Sequence, residues 1–167
     1  MNITISLLQP EDLDQIVDVQ SKIYSPDLHE EYSFYANRLQ LAPSSCWKAS
    51  DQEGRIQGYL ISYPWKGDSP PALGHALQAL PEAADQWFIH DCALLPSAQG
   101  KGWSKQLLRH GVQFARTCGL RWSSLVSLGQ ARDYWQAQGY SVVQAQAEQA
   151  DHLLAYGPQS CMMRRAL

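Results

Sequence analysis

The fold of this chain is decided by Leu94-Leu95-Pro96-Ser97-Ala98-Gln99-Gly100-Lys101-Gly102-Trp103-Ser104, a stretch that leads from an apolar segment into a helical pattern. Two closely spaced glycines let backbone N–H groups converge on an anion without obstructing side chains. The N-terminus of the following helix adds partial positive charge at the same place. The stretch therefore predicts a phosphate-binding turn between a strand and a helix.

Three other glycine motifs are excluded by spacing. A nucleoside-triphosphate loop has Gly where Leu95 stands and Ser or Thr where Gly102 stands. A dinucleotide fingerprint has a third Gly at the position of Lys105. A serine nucleophile elbow would place Gly at the position of Gln106, so Ser104 is not a hydrolase nucleophile by this test.

The same stretch resembles motif A of the GCN5-related N-acetyltransferase (GNAT) superfamily. That motif is an apolar strand ending in Val-x-Pro, a turn of the form Gln/Arg-x-x-Gly-x-Gly/Ala, and a helix that opens with paired leucines, here Leu107 and Leu108. Downstream, Ala131-Arg132-Asp133-Tyr134-Trp135-Gln136-Ala137-Gln138-Gly139-Tyr140 resembles motif B of the same family. Two motifs in the expected order and at the expected distance are much more specific than either one alone.

Composition predicts a single domain over residues 1–167. The chain is 45% hydrophobic and 17% charged, which suits one substantial core. Its net charge of −3 and its lack of Lys/Arg blocks argue against a nucleic-acid partner. The four cysteines are widely spaced, which indicates free thiols and no metal site. No apolar run approaches the ~18 residues of a membrane span, so we expect a cytoplasmic protein without a membrane partner. The sequence does not decide between a monomer and a homodimer.

Hydrophobic spacing predicts the elements around the motifs. A strand over 3–7 precedes a helix that opens at Pro10, and a second helix is predicted over 28–41. A hairpin of strands over 46–49 and 56–63 leads to a long loop over 64–86, in which Ala72–Leu80 is a candidate short helix. The later elements are a strand over 87–95, a helix over 102–118, a strand over 122–128, a helix over 130–138, a strand from Tyr140 and a strand over 161–166.

This order, βααβββαβαββ, is similar to the GNAT fold, a mixed α/β sheet with helices on both faces. The resemblance implies that strands 87–95 and 122–128 are parallel and splay apart, and that the pantetheine arm of acetyl-CoA lies between them near Leu94. It also implies that the pyrophosphate lies over the turn. The residues implied to contact the cofactor are Gln99, Gly100, Lys101, Gly102, Trp103, Ser104 and Trp135. For Lys101, a solvated side chain is favoured over a charge contact at the rim of the site, because exposed pairs contribute little.

The resemblance also implies a general base on strand 87–95. An ammonium cannot attack a thioester until it has lost a proton. Several GNAT enzymes carry the base at the position of Phe88 or of His90, and only His90 has a group that can accept a proton. Strict alternation along a strand places Asp91 on the face opposite His90. Asp91 is interpreted as a structural anchor on that face and is kept as a second catalytic candidate because a buried carboxylate is costly.

A general acid for the departing thiolate is less well supported. Many GNAT enzymes use a Tyr in motif B, but Trp135 stands at that position and an indole cannot act as an acid. Tyr134 is adjacent, about 100° around the helix, and is expected to face elsewhere. An Asn that commonly contacts the cofactor is replaced by Leu128. Protonation by water is the alternative.

The sequence predicts an acetyl-CoA-dependent N-acetyltransferase that uses direct attack and no acyl-cysteine. The acceptor is expected to be a small-molecule or peptide amine, held by the acidic cluster of Asp27, Glu30 and Glu31. A solvated helix start explains that cluster equally well. A non-catalytic acyl-CoA-binding module is the main alternative, and an interaction protein that uses exposed Trp65 and Trp103 is the third.

Overall fold

A seven-stranded mixed sheet with helices on both faces forms the framework of the computed structural model, which describes residues 3–144 and 150–167. Apart from one additional helix before the last strand, the elements follow the predicted order, and they confirm the predicted fold class. The strands are β1 (Thr4–Leu7), β2 (Trp47–Ser50), β3 (Ile56–Trp65), β4 (Gln86–Leu94), β5 (Trp122–Ser127), β6 (Ser141–Val142) and β7 (Cys161–Ala166). The helices are α1 (Leu13–Ser21), α2 (Tyr32–Leu41), α3 (Trp103–Thr117), α4 (Arg132–Ala137) and α5 (Ala150–Leu154).

The strand order is β1-β2-β3-β4-β5-β7-β6, and β4 and β5 form the parallel pair in its centre. Their pairing covers only Gln86–Ile89 of β4 and Trp122–Leu125 of β5. Beyond Ile89, β4 continues to Leu94 without a partner on this side. The two strands therefore part toward their carboxyl ends, as predicted, and this gap is where ligands bind in many open α/β sheets.

An irregularity in β4 changes which side chains share a face. Ile61 of β3 pairs with Asp91, but the next residue, Ser62, pairs with Ile89, so that His90 has no partner in the register. An extra residue of this kind is a β-bulge, and it reverses the alternation of the side chains that follow it. His90 and Asp91 consequently lie on the same face of the sheet. The prediction that they face opposite ways is wrong because it assumed an unbroken strand.

The α3 face of the sheet is packed around Trp87. Its ring lies so close to Gly111 that a Cβ at that position would be 2.1 Å from a ring atom, so only glycine fits here. Leu107, Leu108 and Ala115 are buried on the same stripe, as predicted. Cys118, which the prediction placed on this stripe, is exposed because it caps the end of the helix.

Other predicted boundaries differ from the structure. The second helix begins at Tyr32 instead of residue 28, because a short 3-10 turn at Pro26–Leu28 precedes an extended segment. The candidate helix Ala72–Leu80 does not form; backbone groups of this segment instead bond to side chains of α2 and of the segment before it. Helix α5 was not predicted.

Candidate active site

The predicted phosphate turn has the backbone that its glycines indicated. Gly100 has φ +74° and Gly102 has φ +76°, which is the left-handed region that side chains disfavour. Gly102 directly precedes α3, so the free amides of the first helical turn lie beside it. A Cβ added at either glycine would meet no atom within 4 Å. The turn therefore presents backbone donors to open space, which suits an anion.

The side chains around this turn are mostly engaged within the protein. The Gln99 amide donates to the Leu94 carbonyl at 3.2 Å. Trp103 is only 5% exposed and packs into the core, which removes it from the exposed aromatics of the interaction-protein hypothesis. Lys101 is exposed, with Nζ 5.2 Å from the centre of the Trp103 ring. The groups of this turn that point to open space are backbone amides and the exposed Lys101 side chain.

A cleft of about 430 Å³ occupies the gap between β4 and β5. One side of the cleft is formed by β5, by α4 and by the segment that joins them. The other side is formed by the connection between α1 and α2 and by the loop over 66–85. Among its lining residues are Tyr24, Glu30, Leu73, Leu125, Tyr134 and Trp135.

His90 forms a buried pair with Glu30 beside this cleft. The His90 Nε2 and Glu30 Oε2 atoms are 2.7 Å apart, and the two side chains are 2% and 4% exposed. The other ring nitrogen, Nδ1, lies 3.4 Å from the Tyr63 hydroxyl. The second Glu30 oxygen accepts the Gly74 N–H at 2.9 Å. Both nitrogens of His90 and both oxygens of Glu30 thus have neighbours within the protein.

Asp91 accepts two short hydrogen bonds. The Tyr24 hydroxyl donates to Oδ1 and the Tyr59 hydroxyl donates to Oδ2, each at 2.6 Å. Burial raises the pKa of the Asp91 carboxyl, against the opposing effect of the two hydroxyl donors. Among the described residues, no Lys or Arg forms an ion pair with it. The cleft therefore contains a carboxylate whose partners are two tyrosine hydroxyl donors and not a Lys or Arg side chain.

Gln20 fixes the connection that carries Tyr24 and Glu30. Its amide nitrogen donates to the Glu30 carbonyl at 2.8 Å, and its amide oxygen accepts the Glu30 N–H and the Tyr35 hydroxyl, each at 2.7 Å. Sequence reasoning identified neither Gln20 nor Tyr24 as a site residue. The available signal was a glutamine on the apolar stripe of α1, where an amide must find partners.

Comparison with protein families identifies the chain. A model described as the Acetyltransferase (GNAT) family matches residues 13–140. The chain belongs to the GNAT acetyltransferase family. This confirms the resemblance drawn from motifs A and B.

Solved structures of the GNAT fold superimpose on nearly the whole chain. The GphF GNAT-like decarboxylase, solved with isobutyryl-CoA, is 14% identical with a TM-score of 0.78 and 98% coverage of each chain. The loading GNATL domain of CurA from Lyngbya majuscula is also 14% identical, with a TM-score of 0.77 over 99% of this chain and 98% of that one. Arabidopsis thaliana Naa50, solved with the bisubstrate analogue CoA-Ac-MVNAL, is 13% identical with a TM-score of 0.73 and full coverage of both. A search of curated proteins gave no match.

The GNAT motif B places two aromatic residues at the cleft. Trp135 is buried against Tyr134 and Tyr140, at 5.0 and 5.4 Å between ring centres. Tyr134 also lines the cleft, and its hydroxyl donates to Ser104 Oγ at 3.0 Å. The expectation that Tyr134 faces away is wrong, because α4 has only six residues and lies against the cleft with adjacent side chains. Burial raises the Tyr134 pKa, so its hydroxyl keeps its proton at neutral pH.

Cys92 is the cysteine among the lining residues of the cleft. Burial raises the pKa of its thiol to about 12. A thiol that remains protonated is a poor nucleophile. Cys92 therefore gives no support to a covalent acyl-enzyme.

The acidic cluster proposed for the acceptor is divided by the structure. Glu30 is buried in its pair with His90, whereas Glu31 and Asp27 are exposed. Glu31 precedes α2 and is not among the lining residues of the cleft. The carboxylates that line the cleft are Glu30 and Asp91.

The loop over 66–85 is anchored on both sides of the cleft. From α2, the Arg38 guanidinium donates to the His75 carbonyl at 2.8 Å, and Asn37 bonds both backbone groups of Leu77 at 2.9 Å. From the C-terminal segment, the Tyr156 hydroxyl donates to the Pro71 carbonyl at 3.0 Å. These bonds hold Leu73 against the cleft, so the loop forms part of the site.

Over 3–144 and 150–167, no group of three or more His, Cys, Asp or Glu side chains is arranged to hold a metal ion. In the same part of the chain, no helix has the length and apolar character needed to span a bilayer.

Proposed function

We propose that this protein transfers the acetyl group of acetyl-CoA to a primary amine. The observation that carries the proposal is that β4 parts from β5 and then leads into an open turn with two left-handed glycines at the start of α3. The unpaired edge of β4, which ends at Leu94, offers backbone groups to the amides of a pantetheine arm. The amides of Gln99–Ser104 offer donors to a pyrophosphate. The CoA-containing complexes of GphF and Naa50 support this use of the fold.

The proposed reaction is direct attack of the amine on the thioester carbonyl. The carbon–nitrogen bond forms, the carbon–sulfur bond breaks, and CoA leaves as a thiolate that must gain a proton. Tyr134 is the proposed acid because its protonated hydroxyl lines the cleft. The proton of the incoming ammonium goes to the polar cluster on the opposite side, where His90 is the residue predicted from the sequence. The amine is a small molecule or a peptide terminus, and the proposed compartment is the cytoplasm.

The test is amine-dependent release of CoA thiol. Acetyl-CoA is incubated with phenethylamine, spermidine, lysine or a short peptide, and both the free thiol and the mass of the acetylated product are measured. We expect turnover with at least one amine and none without an acceptor. A tenfold loss of turnover in Tyr134→Phe, with unchanged acetyl-CoA affinity, would support its role as acid.

The second candidate function is an acyl-CoA-binding module without catalysis. It is favoured by buried Phe88 and Trp135 at positions where many family members carry catalytic groups. Calorimetry combined with the thiol assay separates the two functions, because the module would bind acetyl-CoA but release no thiol with any amine in the panel.

A further inference from the structure

We propose that the Tyr24 hydroxyl relays the proton of the acceptor ammonium to Asp91. This inference rests on the proposed function and assigns a step in it to two residues. Tyr24 lies in the connection after α1 and lines the cleft together with Asp91. Its hydroxyl is already bonded to Asp91 Oδ1 at 2.6 Å. A hydrogen bond of this length provides a direct path for a proton.

The bulge in β4 is what brings Asp91 into this position. In a regular strand, Asp91 would face α3 among Trp87, Ile89 and Leu107. The extra residue at His90 turns Asp91 toward the α1–α2 connection instead, at the point where β4 leaves β5. A carboxylate is thereby placed beside the backbone along which the thioester is proposed to lie.

The surroundings of Asp91 suit a proton acceptor better than a structural anchor. A buried carboxylate without a paired cation is costly, and a neutral residue would fill the same space at lower cost. Its two partners are hydroxyl donors, which stabilise the charge without removing the capacity to accept a proton. The titratable groups around Tyr24 and Asp91 are those of Glu30, Tyr35, Tyr59, His90 and Cys92.

The two tyrosines that contact Asp91 differ in one respect. Tyr24 lines the cleft, whereas Tyr59 is 0% exposed and packs in the core between the sheet and α2. Their hydrogen bonds to the carboxylate are equal in length. A proton from a ligand in the cleft can therefore reach Asp91 through Tyr24, while Tyr59 only holds the carboxylate from behind.

His90 has less freedom to accept this proton. Its side chain is 2% exposed, and its Nε2 atom is 2.7 Å from the buried Glu30 carboxylate. Its Nδ1 atom lies toward Tyr63, which is also 0% exposed. The geometry makes His90 a partner of Glu30, and Glu30 in turn holds the loop through Gly74.

The relay leaves Tyr24 unchanged. The ammonium gives one proton to the Tyr24 oxygen while the Tyr24 hydroxyl proton moves to Asp91 Oδ1. The neutral amine then attacks the thioester carbonyl, the carbon–sulfur bond breaks, Tyr134 gives its hydroxyl proton to the CoA sulfur, and the second nitrogen proton restores the Tyr134 hydroxyl. Asp91 later releases its proton to solvent. Burial raises the Tyr24 pKa well above its usual value, so Tyr24 passes a proton on and does not itself ionise.

The experiment compares Tyr24→Phe with Tyr59→Phe. Each variant removes one hydroxyl and one 2.6 Å hydrogen bond to Asp91 and keeps the ring. The substrates are acetyl-CoA and whichever of phenethylamine, spermidine, lysine or the short peptide is acetylated fastest. We expect kcat/KM to fall about 100-fold in Tyr24→Phe and in Asp91→Asn, but only about threefold in Tyr59→Phe. Acetyl-CoA affinity and thermal melting verify that each variant is folded.

The pH dependence provides a readout that a structural defect would not reproduce. The deficits of Tyr24→Phe and Asp91→Asn should shrink as the pH rises toward the pKa of the acceptor amine, because free amine then forms in solution without a base. Equal deficits in the two phenylalanine variants, or a deficit that is constant with pH, would overturn the relay. So would an about 100-fold loss in His90→Gln with normal turnover in Tyr24→Phe. A wild-type protein without turnover would instead refute the proposed function.

Discussion

Replacement of Gly102 by Glu tests the cofactor site most directly. The substitution puts a side chain and a negative charge into the open space above the turn, where a Cβ now meets no atom within 4 Å. At about 6 Å and an effective dielectric constant of about 20, repulsion from one phosphate charge is about 2.8 kcal/mol. Screening at this exposed turn reduces it to about half, which corresponds to an about tenfold higher Kd for acetyl-CoA.

Gly119→Glu is the matched control. Gly119 has φ +72° and equally open surroundings, but it follows the other end of α3, about 22 Å away at 1.5 Å per residue. Both variants force a side chain into the left-handed region, so both should lose about 1–2 kcal/mol of stability. Calorimetry with acetyl-CoA should show weaker binding only in Gly102→Glu. Equal affinities of the two variants would refute the placement of the pyrophosphate at this turn.

Three further predictions concern the core and the polar cluster. Gly111→Ala should destabilise the protein by about 1–3 kcal/mol in urea unfolding, although Gly→Ala within a helix usually stabilises, because its Cβ would collide with Trp87. Asp91→Asn should unfold at a higher temperature than the wild type at pH 7 but not near pH 4. Because the pKa of Asp91 is higher in the folded than in the unfolded protein, the wild type loses stability as the pH rises from about 4. Melting curves across that pH range should show the difference in melting temperature between variant and wild type growing with pH. Glu30→Gln should lose about 1–3 kcal/mol, because one of the two oxygens that bond Gly74 and His90 becomes an NH2 group and one of these partners loses its acceptor. Exposed Glu31→Gln should stay within about 0.5 kcal/mol, and a similar effect of both substitutions in urea unfolding would contradict the buried pair.

Predictions that depend on residues close in sequence agree best with the structure. The turn at Gly100 and Gly102 follows from the backbone freedom of glycine, and the order of elements follows from hydrophobic spacing. The same local signals gave the family through motifs A and B. They failed for the candidate helix over Ala72–Leu80, where distant side chains on α2 hold the backbone in another shape.

The sequence by itself determined the fold, the family and the place of the glycine turn before α3, because each is encoded by contiguous residues whose conformational preferences agree. Only the tertiary structure decided how the acceptor side is built. Asp91 faces Tyr24 through a bulge that appears only when β4 pairs with β3, and Tyr24 lies 67 positions away from it along the chain. Glu30 and Glu31 look alike in sequence, yet burial against His90 separates one from the other. Such contacts depend on packing between distant segments, for which spacing along the chain carries no signal.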